Sequence, residues 1–132
     1  MSKTSDKNKL NSFEENFKRS VSPMIVLLVL SEKPMYAYRL SQELEKRSNH
    51  TYKMNFLYPV LYKLQKDGYI VEFSQETTES HRTRNYYTIT DSGKLYLDFL
   101  IKKYNELLSA VDIFLENKNI AEKQIFQSTF NH

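Results

Sequence analysis

At 132 residues, with 40% apolar, 14% aromatic and 27% charged positions, the chain can fill one packed core and is too short for two. The absence of cysteine excludes disulfides, thiolate catalysis and cysteine-based zinc sites. The net charge is only +3, but residues 1–94 carry 15 Lys/Arg against 11 Asp/Glu while residues 95–132 carry 4 against 5, so the first two-thirds admits a polyanionic partner without demanding one.

Residues 1–12 open with the polar, aperiodic "MSKTSDKNK" and are expected to form a flexible arm. Phe13, Phe17, Val21, Met24 and Leu28 then recur at steps of three or four and predict a first helix towards Leu30. Pro23 interrupts that pattern, which leaves open a kink or a break near Ser22. In "SEKPMYAYRLSQELEKRSN", Pro34 reads as a helix opener, and Ala37, Leu40 and Leu44 give an apolar edge. A third helix follows in "FLYPVLYKLQKDGYI", where Leu57, Val60, Leu61 and Leu64 fit the i, i+3, i+4, i+7 template and Gly68 ends the run.

Past Gly68 the period becomes extended. "YIVEFSQ" and "RTRNYYTIT", rich in β-branched and aromatic residues, predict a β-hairpin. Its connection "ETTESH" holds no glycine and is too long for a two-residue primed turn. At "TDSG" helix resumes, with Thr90 as cap and Asp91 complementing the positive helix end. Leu97, Leu100, Tyr104, Leu107, Val111 and Phe114 then trace an a/d seam over residues 91–117, and residues 118–132 are expected to fray. The fold class is mainly α with a small β-hairpin.

At ~100° per residue, Leu57, Val60, Leu61 and Leu64 of the third helix share a core face. Tyr58 and Tyr62 point elsewhere, towards the side of Asn55, Pro59, Lys63 and Lys66. A solvated helix face normally carries flexible charges. Phenols beside lysines suit a phosphate backbone, the hydroxyl donating to an anionic oxygen; packing against a neighbouring helix or a partner subunit is the competing explanation. Pro59 is tolerated in a first turn, where amides have no carbonyl partner to lose.

The element order, together with "MYAYRL", "LYPVLYKLQKDGYI" and "RNYYTITDSGK", resembles the PadR family of bacterial transcriptional regulators over roughly residues 20–100. The resemblance implies a winged helix-turn-helix over residues 13–90 and a C-terminal dimerisation helix over 91–117. Asn55 to Lys66 becomes the DNA-recognition helix, Tyr58 a donor to a backbone phosphate, and residues 69–90 the wing, whose tip approaches the minor groove. Three departures stand out: Ala37 replaces a glycine, "YKMNF" replaces a small polar helix entry, and the wing carries Glu76 and Glu79.

The expected DNA-contacting set is therefore Asn55, Tyr58, Pro59, Tyr62, Lys63, Lys66, His81, Arg82 and Arg84, with Asn55 either capping the helix or reading an adenine edge. Arg82 and Arg84 share a strand face and could instead pair with Glu72 or Glu76. Leu97, Leu100, Tyr104, Leu107, Val111 and Phe114 are the expected dimer residues of the C-terminal seam, whose apolar face is too wide for one small domain to cover, a helix lying on its own domain being the competing explanation. The resemblance implies that this helix packs on the partner's N-terminal helix, which adds Phe13 and Phe17. The partners implied are a double-stranded DNA operator, a second copy of the chain, and a small aromatic or drug-like effector at the dimer interface. The functional expectation is a sequence-specific, ligand-responsive repressor; the alternative is a winged-helix protein-interaction module without sequence-specific DNA binding.

Nothing in the chain supports catalysis. Two glycines leave no phosphate-cradling loop, and neither G-x-S-x-G nor H-E-x-x-H occurs. Three histidines without paired spacing make a metal site improbable, and no cofactor is expected. The longest apolar run, "MIVLLVL", falls far short of the ~20 residues of a membrane span and lacks a signal-peptide setting, so the expected location is the cytoplasm.

Overall fold

The computed structural model describes residues 3–53 and 57–130. Two compact units divide the chain, the first closing at Leu97 and the second beginning at Asp98. The first contains α1 (Lys3–Glu32), β1 (Met35–Tyr36), α2 (Ala37–Arg47), α3 (Leu57–Lys66), β2 (Ile70–Glu76), β3 (Thr83–Ile89) and the opening turns of α4, which runs from Asp91 to Phe130. Three helices and a small antiparallel sheet make a winged helix-turn-helix.

Two expectations about helix ends are corrected. Residues 3–12, expected as an arm, are helical, and α4 continues to Phe130 where fraying was expected after Asn117. No glycine or proline occurs between Lys3 and Ser22 or between Lys94 and Phe130, so nothing in either segment breaks a helix once it has started. Pro23 is also carried inside α1 without ending it. Beside it, the buried Ser22 hydroxyl donates to the Lys18 carbonyl one turn back.

The core of the first unit collects Val26, Leu27, Val29 and Leu30 from α1, Leu40 and Leu44 from α2, and Leu57, Leu61 and Leu64 from α3, with Met35, Ala37, Ile70 and Leu97 around them. Each buried Leu or Ile contributes about 1.5–3 kcal/mol by leaving water. α1 packs against α2, α3 and β3, so it forms the spine of the unit.

Pro34 does not open α2. Met35 and Tyr36 first pair with Tyr87 and Tyr86, adding a third strand in the order β1-β3-β2, and the helix begins only at Ala37. The β2–β3 register runs from Ile70 opposite Ile89 to Glu76 opposite Thr83. The longer connection expected there is present: the Thr77 amide donates to Arg82 O at 2.9 Å and the His81 amide to Thr77 O at 3.1 Å. His81 adopts a positive φ of 54° where a glycine would be the usual choice.

A tight joint links the end of α3 to the start of α4. Gly68 turns the chain at φ 81°, and the Tyr69 amide reaches back to Leu64 O at 2.9 Å. Thr90 caps α4 as expected, its Oγ1 accepting from the Gly93 amide at 3.0 Å while donating to Gly68 O at 2.7 Å. A Cβ on Gly93 would lie 2.1 Å from Tyr69 O, so only glycine fits there. The Tyr69 and Tyr96 rings stack at 4.1 Å over the same joint.

Candidate nucleic-acid interface

α3 separates its faces as its periodicity predicts. Leu57, Leu61 and Leu64 are buried and Val60 is half-buried, while Tyr58 and Tyr62 stand 68% and 69% exposed. Pro59, Lys63 and Lys66 are also exposed, and neither lysine has an ion-pair partner among the described residues. Asn55 lies outside the described residues. Pro59 is the third residue of the helix, where its missing N–H costs no hydrogen bond.

On one flank of α3, Tyr58 borders a crevice of about 300 Å³ at the root of the hairpin. Tyr36, Ala37 and Tyr38 form one wall, and Thr83, Arg84, Asn85 and Tyr87 form the other. Arg84 does not pair with Glu72 or Glu76. Its cross-strand neighbour is Gln75, and its guanidinium lies 5.4 Å from the centroid of the Tyr36 ring. The pKa of the Tyr87 phenol is raised, first by burial and then by the charge of Glu72 and the hydrogen bond with it, with a smaller contribution from Tyr58. Burial and the neighbouring Glu72 thus both favour the protonated phenol of Tyr87.

On the other flank, Pro59 and Lys63 border a second crevice of about 320 Å³ with Arg19, Pro23 and Tyr96. At the hairpin tip, Arg82 is exposed and without an ion-pair partner among the described residues. His81 leans on Glu76, Nδ1 to Oε1 at 3.1 Å, which places an acceptor carboxylate beside the very ring expected to meet DNA. The expected set thus divides into a tyrosine–arginine crevice, a lysine-bearing face and a hairpin tip of mixed charge. Sequence reasoning assigned no role to Tyr36, Tyr38 or Tyr87. The only signal was the alternating "MYAY", whose meaning depends on β1 pairing with β3.

Residues 26–98 match the transcriptional regulator PadR-like family. The chain belongs to that family. An uncharacterized protein of Lysinibacillus sphaericus is 34% identical over 94 residues, covering 70% of this chain and 85% of its own length. Among solved structures, a PadR family transcriptional regulator from Eggerthella lenta superposes with a TM-score of 0.72 at 25% identity, covering 86% of this chain and 97% of its own. A transcriptional regulator from Clostridium thermocellum gives 0.67 at 27% identity, covering 75% and 97%. A PadR-like transcriptional regulator from Bacillus cereus gives 0.67 at 25% identity, covering 76% and 96%.

As a PadR-like regulator, the chain also presents the apolar surfaces expected for pairing. On α1, Phe13 and Phe17 are exposed and continue a stripe that Leu10 starts and Leu28 ends. In the second unit Leu107, Val111 and Phe114 are exposed, with Leu108 and Leu115 beside them, while Leu100 and Tyr104 are half-buried. Leu97 is corrected. At 6% exposure it belongs to the core of the first unit and is not free to meet a partner. Among the described residues, no group of His, Asp and Glu could hold a metal ion, and no helix is long and apolar enough to cross a membrane.

Proposed function

We propose that this PadR-like regulator is a homodimeric, sequence-specific DNA-binding protein that represses transcription from a near-palindromic operator. The observation that carries the reading is the outward face of α3: two phenols more than two-thirds exposed, on the same short helix as two lysines without an ion-pair partner among the described residues, opposite a fully buried leucine face. Phenol hydroxyls and ammonium groups are phosphate donors, and a ten-residue helix of this kind fits a major groove. Two such helices, related by a twofold axis, enter successive major grooves about 34 Å apart.

The exposed seam of Leu107, Val111 and Phe114, with Phe13 and Phe17 of α1, supports pairing with a second copy, since exposed apolar rows of this length mark interfaces. A small aromatic or drug-like effector bound between the subunits, beside Tyr104, would release the operator by favouring a different separation of the two α3 helices. The test is a binding comparison between duplex DNA from the gene's own promoter and a scrambled duplex. The expected result is promoter binding at least about a thousandfold tighter. Equal, purely salt-driven affinity for both duplexes would instead identify a protein-interaction module.

A further inference from the structure

On the reading that this chain is a dimeric regulator of a duplex operator, we propose that the free edge of the wing, strand β2, pairs antiparallel with β2 of a second copy. Dimers on neighbouring sites then join wing to wing and fill the DNA cooperatively. None of the β2 side chains involved is among the expected DNA contacts.

β2 is the outer strand of the sheet, with β3 on one side and no strand on the other among the described residues. It pairs with β3 one for one from Ile70 to Glu76, so no bulge twists the free edge aside. Exposed edges are commonly guarded by lysine or proline, and β2 holds neither. Alternation sorts its side chains by face. Ile70 is fully buried towards the core, so Val71, Phe73 and Gln75 share the opposite face with Thr88, Tyr86 and Arg84 of β3. The three β2 residues there are uncharged and exposed, Val71 at 49% and Phe73 at 38%, and Phe73 stacks on Tyr86 at 5.7 Å.

Charge and symmetry select a second copy as the occupant. An antiparallel pair of identical edges needs a twofold axis normal to the sheet, which keeps like faces together. Centred on Phe73, that axis overlaps the two strands end to end. Phe73 then lies opposite its own counterpart, Val71 opposite Gln75, and Glu72 opposite the neutral Ser74. Moving the centre to Glu72 sets that carboxylate against its counterpart, and moving it to Ser74 sets Glu72 against Glu76, so like charges oppose both neighbouring registers. Within one protomer Glu72 already faces the Tyr87 phenol, and the Ser74 hydroxyl donates to Asn85 Oδ1 at 3.0 Å.

The contact is small. Three side chains per strand fall far below the ~1,200 Å² of a stable interface, so free dimers stay apart. DNA changes this by holding two dimers side by side at a high effective concentration. Dimers on abutting palindromic sites are related by a further twofold midway between them, which is the symmetry a β2–β2 pair requires.

The chain's lack of cysteine makes the register directly readable. On a duplex carrying two abutting copies of the promoter site, full-length Phe73→Cys should form a disulfide between copies under mild oxidation, because directly opposed Cβ atoms lie ~5 Å apart. Gln75→Cys should not, since its counterpart sits about 13 Å away along the facing strand. Neither should crosslink on a single-site duplex. Wild type should fill the paired sites with about tenfold cooperativity. That gain should vanish when about half a turn of DNA is inserted between the sites. It should also vanish in Phe73→Ser, whose single-site affinity stays within about twofold of wild type. Independent filling of the two sites, cooperativity that survives Phe73→Ser, or a crosslink at Gln75→Cys in place of Phe73→Cys overturns the wing pairing while single-site binding stands, leaving the edge to another protein's strand. A wild-type chain that does not distinguish the promoter from a scrambled duplex overturns the functional reading itself.

Discussion

Two stretches, the α2–α3 pair and residues 107–115 of α4, handle their apolar residues in opposite ways. In the first, the leucines are covered, and the large rings left outside, Tyr38, Tyr58 and Tyr62, all end in a hydroxyl. In the second, bare hydrocarbon is exposed: Leu107, Val111, Ile113, Phe114 and Leu115 lie open within nine residues. A phenol is at ease beside water and phosphate alike. An exposed leucine row has no polar tip, and only another apolar surface relieves its contact with water. On the proposed reading, the type of exposed side chain, more than the amount of exposure, separates a surface for a polyanion from one for protein.

The strongest test of that contrast is to charge the second surface. Val111→Glu with Phe114→Glu should convert the proposed dimer to a monomer in sedimentation equilibrium and lower promoter affinity about a hundredfold or more, because the two half-sites would no longer be held together. An unchanged mass would break the comparison. Next in size is Gly93→Ala, whose new methyl group would meet Tyr69 O; about 2 kcal/mol should be lost. This variant should melt earlier by the same amount at every protein concentration, whereas the charged pair should abolish the concentration dependence of melting.

Smaller effects sharpen the first surface. Lys66→Ala should weaken binding to all sequences alike and reduce the salt slope by about one, read from affinities at two or more salt concentrations. The smallest effect belongs to Tyr87. Its pKa is raised from 10.0 in the folded chain, so the fold binds that proton more tightly than the unfolded chain does. The resulting stability is fully present below pH 10 and declines as the pH rises past it. Urea midpoints measured across that range should fall less steeply for Tyr87→Phe than for wild type.

Much of the first unit was legible because its signals are local. The spacing of Leu57, Leu61 and Leu64 marked the buried face of α3 and turned Tyr58 and Tyr62 outward, and Thr90 announced its capping role three residues ahead of Gly93. What escaped depends on residues far apart in sequence. A two-residue strand has no period, so Met35 and Tyr36 could not be told from a helix entry until Tyr86 and Tyr87 paired with them. The Arg84–Tyr36 contact follows from that pairing and was equally hidden. Leu97 fits the seam by spacing yet is covered by the core, because periodicity gives a face of a helix and not its neighbour. The long helical ends were missed for another reason: polar composition suggested disorder, while the absence of breakers decided the backbone.

The joint at Thr90 has a mechanical meaning. One hydroxyl is bonded at once to the Gly68 carbonyl in the loop after α3 and to the first-turn amide of α4, and Gly93 leaves no slack between the backbones. The opening turn of α4 is therefore tied to the turn that follows α3. On the proposed reading, any turning of that first turn would pull on the Gly68 carbonyl just beyond α3.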